Sequence, residues 1–210
     1  MWFSIGLTVL AGYMLGNLNG AVSISNLLAK KDVRDQGSGN AGLTNFLRMF
    51  GPGSALLVVC VDMLKAVVAC LLGKLLLAPY GYSAEGTLVG GIAVCLGHVF
   101  PALLGFHGGK GVLSGFTVAL MADWRCGLPA LLVFGLCLWL TRYVSVSSIV
   151  AVIACVTAFS AVHWQEPAVA IMLALLGALI VFMHRSNISR LVKGTERKAT
   201  FSKFRKKTKQ

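Results

Sequence analysis

The sequence predicts an all-α, polytopic membrane protein of about seven transmembrane helices, with the N-terminus outside and the C-terminus cytoplasmic. Three observations carry that expectation. Only 12% of the 210 residues are charged against 57% hydrophobic, about half the ~25% charge of soluble domains. With a mean hydropathy of +0.79, the chain has too little polar surface to wrap a water-soluble globule. Long apolar runs recur along its whole length, and the cations between them fall on one side of the implied membrane. The same composition excludes intrinsic disorder and a secreted disulfide scaffold.

A span needs about 20 apolar residues, or fewer where protein surrounds the helix. The first run, 2–28, lacks the basic flank and A-x-A site of a cleaved signal, so it is expected to stay as a span. The second, 53–78, carries Asp62 and Lys65 at i and i+3; neither belongs against lipid, and an inward-facing ion pair is expected. The third is 87–105. The fourth, 111–122, rises only ~18 Å, and a half-helix or re-entrant segment is the alternative, which would leave six spans. The fifth to seventh, 126–141, 144–162 and 167–183, are apolar throughout. Seven spans put Lys30, Lys31, Arg34, Arg48, Lys110, Arg142 and the ten cations beyond His184 on one side, with Arg125 alone opposite them beside Glu85, Asp123 and Glu166. Such asymmetry marks the cytoplasmic face.

No tandem repeat or linker divides the chain, so one membrane-embedded domain, 1–210, is expected, ending in a basic cytoplasmic tail, 199–210. A net charge of +12 first suggests nucleic acid. However, Lys203, Arg205, Lys206, Lys207 and Lys209 follow a terminal membrane helix, where such a cluster anchors to anionic lipid heads, and no nucleic-acid partner is expected. The six cysteines form no C-x-x-C pair and read as small buried hydrophobes.

Three polar segments fall on the predicted inner side. In residues 32–48, Gly37, Gly39 and Gly42 permit close backbone approach, and Ser38, Asn40, Thr44 and Asn45 add donors next to Arg34 and Arg48. This resembles a cradle for an anion; the alternative is a polar turn ahead of a helix. In residues 97–112, Gly108, Gly109 and Gly111 surround Lys110 where a helix begins, bringing free N–H groups, the positive helix end and an ammonium together. Phosphate is the natural guest, although Gly111 after Lys110 rules out a Walker A loop. In residues 184–198, His184, Asn187 and Ile188 share a helical face beside Arg190 and Lys193; the alternative is a basic helix lying on lipid heads. The run from Arg142 through Ser145, Ser147 and Ser148 adds a guanidinium and hydroxyls. A nucleophile elbow, a zinc-protease motif and metal-ligand spacing are missing from the sequence. Anion binding and positioning are therefore the expected chemistry, without cofactor or metal.

Taken in order, Gly37-Ser-Gly-Asn-Ala-Gly-Leu-Thr-Asn45, Gly97-His-x-x-Pro101 with Gly108-Gly-Lys-Gly111, and His184-x-x-Asn187-x-x-Arg190-Leu-x-x-Gly194-x-Glu196 resemble the bacterial acyl-phosphate:glycerol-3-phosphate acyltransferase family. Arg142-Tyr-x-Ser145 and Asp62-x-x-Lys65 also look like that family. His107, where a lysine is expected, and Asn17-Leu-Asn19, in place of a Pro-bearing stretch, depart from it. The resemblance implies a seven-helix enzyme of the bacterial inner membrane with its active site on the cytoplasmic side. It would transfer a fatty acyl group from acyl phosphate to the 1-hydroxyl of glycerol 3-phosphate, giving lysophosphatidic acid. Membrane lipid and the soluble enzyme that supplies acyl phosphate would be its partners.

On that resemblance Ser38, His184, Asn187 and Lys110 are the catalytic set. The phosphates would be held by Gly37, Gly39, Asn40, Thr44, Asn45, Arg48, Gly108, Gly109, Gly111, Arg142, Ser145, Ser147, Ser148, Arg190 and Glu196. A substrate phosphate oxygen is the expected proton acceptor, with His184, Glu196 and Asp35 as alternatives. Two rival readings are a transporter of phosphate esters, which would need a polar path continuing outward, and a lipid-binding scaffold, which would need only the basic tail.

Overall fold

Among residues 1–199, which the computed structural model describes, the apolar runs fold as helices and no strand forms. The helices are α1 (Trp2–Asn17), α2 (Gly20–Ala29), α3 (Leu43–Phe50), α4 (Pro52–Leu77), α5 (Ser83–Val99), α6 (Val112–Ala122), α7 (Trp124–Thr141), α8 (Val144–Val162), α9 (Pro167–Met183) and α10 (Arg185–Val192). The tail cations from Lys203 to Lys209 lie outside the described residues.

Five passages are long and apolar enough to cross a bilayer: α1 with α2, α4, α5, α7 and α8. The pair α9 and α10, bent by 50° at His184, makes six. Helix α6 accounts for the shortfall from the seven expected, since its 11 residues rise only ~17 Å. Nevertheless it starts beside Lys110, which shares a cavity with His184. It ends at Asp123, whose carboxylate accepts a hydrogen bond from His163 at the far end of α8 (3.0 Å). So α6 joins the two ends of the bundle. It can be short because protein rather than lipid encloses it, with Ser114, Gly115, Thr117 and Val118 all buried.

The first span, expected as one helix over 2–28, is broken. Helix α1 stops at Asn17 and α2 starts at Gly20, where the Asn19 side chain accepts a hydrogen bond from the Val22 N–H. A break inside a membrane orphans backbone groups that lipid cannot satisfy, and α4 supplies the missing partners. Asp62 Oδ1 accepts from the Gly20 N–H at 3.1 Å, and Lys65 Nζ donates to the Leu18 carbonyl at 2.7 Å. The two side chains also pair with each other at 2.8 Å. The expected inward ion pair is thus a splint across a broken helix. Removing one partner would strand a buried charge at a cost of ~3–5 kcal/mol.

Helix α5 is the centre of the bundle. A methyl group at Gly90 would overlap the Ala69 carbonyl of α4, one at Gly97 the Tyr13 carbonyl of α1, and one at Gly91 the Val118 side chain of α6. Small residues let these backbones approach closely, which replaces the hydrophobic drive that helices lack in lipid. By contrast α7 buries only Cys126, Gly127 and Ala130, carries Pro129, and packs mainly on its chain neighbours α6 and α8. One side of the molecule is tightly packed, and the other encloses a cavity.

Candidate functional site

The three polar segments meet at one end of the bundle. The first is folded around Asn45 of α3. Asn45 Oδ1 accepts from the Ser38 N–H (2.9 Å), while Nδ2 donates to the carbonyls of Val33 (3.0 Å) and Gln36 (2.9 Å). Gly37 sits at φ +66°, and a side chain there would run into Asn45 Oδ1; only glycine suits this turn. Asn45 and Gly37, expected among the phosphate ligands, form the frame of the loop: the Asn45 side-chain amide is committed to holding it, and Gly37 leaves the room that Asn45 needs. Helix α3 is pinned by Phe46, which is buried among Ala21, Val33 and Val58 and stacked on Phe50. Arg34, held by Asp32 (2.8 Å), donates to the Leu104 carbonyl (2.8 Å) and ties this loop to the second segment.

In that second segment two of the glycines also differ from expectation. The Gly109 N–H donates to the His98 carbonyl (3.1 Å), and a methyl group at Gly108 or Gly109 would collide with the His98 backbone or ring. Neither residue lines the cavity. They allow the turn to cross His98 closely, and this delivers Lys110 and Gly111 to the cavity wall. His98 is itself fixed by Lys65 Nζ at 2.9 Å, so the splint beneath the broken helix also supports the turn.

The third segment is organised by Glu196. Its carboxylate accepts from Ser145 Oγ (2.8 Å), Asn187 Nδ2 (2.7 Å) and Arg190 Nε (2.6 Å). Burial pushes the Glu196 carboxyl upward, but the hydrogen bonds from Asn187, Arg190 and Ser145 outweigh it and hold the group below its ordinary value. An anion in this position repels phosphate, so Glu196, expected among the phosphate ligands, is here the acceptor that aligns Ser145, Asn187 and Arg190. Because an ionised carboxylate can only accept, the Asn187 amide must turn its NH₂ toward Glu196. Asn187 Oδ1 is then left buried without a partner among the described residues, an acceptor waiting for a donor. His184 Nδ1 donates to the Ile180 carbonyl (2.8 Å), which leaves the lone pair on Nε2.

These elements enclose a cavity of about 440 Å³. Of the expected residues, Ser38, Asn40, Thr44, Asn45, Arg48, Lys110, Gly111, Ser145, Ser148, His184, Asn187, Arg190 and Glu196 line it. Gly37, Gly39, Gly108, Gly109, Arg142 and Ser147 do not. Ser147 is fully buried and donates to the Tyr143 carbonyl (2.8 Å). Arg142 is exposed at the left-handed end of α7 (φ +62°), where its carbonyl accepts from the Ala199 N–H (2.7 Å).

Two features are only partly legible in the sequence. Arg197 lines the cavity, although the sequence singles it out only as one of the ten cations beyond His184; its place next to Glu196 is the available signal. The resemblance implies an acyl chain lying between helices, but not which ones: an apolar branch extends from the polar end between α6, α7, α8 and α9, lined by residues such as Phe116, Phe134, Val152 and Leu176. At the polar end Arg48, Lys110, Arg190 and Arg197 line the cavity with two carboxylates, Glu196, paired with Arg190, and Asp62, already neutralised by Lys65. Burial pushes the Lys110 ammonium down to about 8, opposed by Glu196 and reinforced by Arg190 and Arg48. The site holds more positive charge than it neutralises, which is the electrostatic signature of an anion site.

The family model for glycerol-3-phosphate acyltransferase matches residues 6–194. A glycerol-3-phosphate acyltransferase of Thermoanaerobacter pseudethanolicus is 39% identical over 192 residues, covering 91% of this chain and 94% of that one. Glycerol-3-phosphate acyltransferase 1 of Deinococcus radiodurans is 41% identical over 198 residues, covering 91% and 96%. Among solved structures, the fold is similar to that of PlsY, an integral membrane glycerol 3-phosphate acyltransferase. Its glycerol 3-phosphate form superposes with a TM-score of 0.83 at 34% identity, covering 94% of this chain and 96% of that one. Its lysophosphatidic acid form superposes at 0.81.

Proposed function

The chain belongs to the glycerol-3-phosphate acyltransferase family, and from that premise we propose that acyl phosphate is its donor. The reaction transfers the acyl group to the 1-hydroxyl of glycerol 3-phosphate, giving lysophosphatidic acid and inorganic phosphate. The protein is thus an integral-membrane acyltransferase of phospholipid synthesis. The observation that carries the donor assignment is that one cavity joins an excess of cations to an apolar branch. Acyl phosphate has that same division, and glycerol 3-phosphate brings a second phosphate to the cationic end.

Arg48, Lys110, Arg190 and Arg197 hold the two phosphates. Asn187 Oδ1 accepts the hydrogen bond of the attacking hydroxyl, and Ser38 and His184 orient the hydroxyl and the scissile carbonyl. The glycerol oxygen attacks the carbonyl carbon; the new ester C–O bond forms as the bond from that carbon to the bridging phosphate oxygen breaks. The hydroxyl proton passes to a phosphate oxygen, and the leaving group departs as phosphate. A mixed anhydride is already activated, so the protein contributes alignment and neutralisation of charge. The transporter reading needs a polar path onward from the cavity, whereas the residues a turn or so beyond its deepest lining on α8 and α9, Phe159 and Val169, are buried in an apolar cluster, which favours the enzyme.

For topology we propose seven passages with α6 as the fourth, the N-terminus outside, and the site on the cytoplasmic side of a bacterial inner membrane, open to a soluble enzyme that supplies acyl phosphate. Purified protein in lipid is expected to release phosphate from acyl phosphate only when glycerol 3-phosphate is present, without added CoA or metal, and to form lysophosphatidic acid in equal amount. Phosphate release independent of glycerol 3-phosphate, or a requirement for acyl-CoA, would overturn the donor assignment.

A further inference from the structure

Phosphate recognition occupies only one end of the cavity; the remainder has a consistent depth. Along α6 the last lining residue is Ala119, along α7 Ala130, along α8 Val156 and along α9 Leu173. At 1.5 Å per residue, each lies ~12–18 Å from the polar end, about half the ~30 Å hydrocarbon core and so about the reach of one lipid acyl chain.

The next turn of three of these helices closes the branch. Cys126 of α7, Phe159 of α8 and Val169 of α9 are 2%, 1% and 4% exposed and belong to one packed cluster. Phe159 stacks on His163 with ring centres 4.2 Å apart, and His163 donates to Asp123 at 3.0 Å. Hydrogen-bonded protein therefore backs the closure. Immediately before it the walls are small, with Ala119, Ala130 and Cys155 in mutual contact.

We infer that this closure is a ruler for the acyl chain, in which Ala119, Ala130 and Cys155 form the floor of the branch and Phe159 fixes its depth. The inference rests on the proposed acyl donor. A chain longer than the branch loses burial of its terminal methylenes, and each methylene left unburied weakens binding roughly fourfold.

The test measures turnover on acyl phosphates of graded length, from octanoyl to stearoyl, with glycerol 3-phosphate held constant. Ala130→Leu raises the floor. It is expected to lose at least ~10-fold on the longest donor that the wild type uses well while keeping the octanoyl rate within ~2-fold. Phe159→Leu lowers the floor and is expected to extend use to longer donors, a gain that misfolding cannot mimic. Profiles unchanged in both variants, or equal loss at every length, would overturn the ruler while leaving the donor assignment intact. Thermal shifts induced by lysophosphatidic acids of graded length separate the two ideas in the other direction. Shifts that follow chain length and move with Ala130→Leu, in a protein that turns over no acyl phosphate, would retain the ruler and sink the donor.

Discussion

Both ends of the bundle gather hydrogen-bond donors around a carboxylate, but among the described residues the one buried side-chain polar atom without a partner lies at only one of them. At the far end Asp123 caps α7 through the Arg125 N–H (2.9 Å) and receives the Arg125 guanidinium (2.7 Å) and His163 (3.0 Å). The Arg125 guanidinium holds the Asp123 carboxyl well below the usual carboxylate range. The cluster consumes its own charges. At the other end Glu196 aligns Ser145, Asn187 and Arg190 yet leaves Asn187 Oδ1 without a partner and Lys110, Arg48 and Arg197 facing a cavity. A buried charge cluster therefore marks a structural joint when its hydrogen bonds close on themselves, and a binding site when they do not.

That contrast can be broken by substitution at either end. The largest effect is expected for Asn187→Ala, which removes the one unpaired acceptor and should lower kcat ~10²–10³-fold while the thermal unfolding of the purified protein changes little. Glu196→Gln keeps the shape but weakens charged hydrogen bonds worth ~1.5–3 kcal/mol, so kcat/KM should fall ~10–100-fold. The third test is pH. Lys110 sits at about 8 because burial disfavours its cation, so the cation is present below that pH and lost above it. The KM for glycerol 3-phosphate should rise with pH above about 8, by up to ~10-fold per unit, and Lys110→Arg should flatten that rise. The smallest effect on catalysis is expected for Asp123→Asn. Turnover should stay within ~2-fold while the melting temperature falls by ~2–4 °C for each kcal/mol lost. If Asp123→Asn instead abolished turnover and Glu196→Gln only softened melting, the division between the two ends would be wrong.

How far the sequence foretold this arrangement depended on whether the deciding contacts were local. Helices α8 and α9 begin and end where the apolar runs do, because hydropathy alone sets those limits. Ser38, Lys110, His184 and Asn187 could be read from the motifs, and all four line the cavity. The roles of Gly108 and Gly109 could not, because their reason is the His98 backbone across the turn rather than an anion. Ser147 resembles Ser145 and Ser148 in sequence, but the helical rotation turns it off the cavity. That an acyl chain would lie between helices follows from the resemblance, but the helices that line the branch could not be read, because four of them each contribute only a few residues to it. Helix α6 was the ambiguous span for a physical reason, since its length suits a segment wrapped by protein.

The splint across the α1–α2 break has a consequence for biogenesis. During synthesis the first span enters the membrane with the Leu18 carbonyl and the Gly20 N–H unsatisfied; Asp62 follows Gly20 by 42 residues and Lys65 follows Leu18 by 47. At ~5–20 residues per second that gap lasts about 2–9 s. Over that interval the nascent first span belongs in the aqueous insertion machinery rather than free in lipid, and its release waits for the second span to arrive and dock.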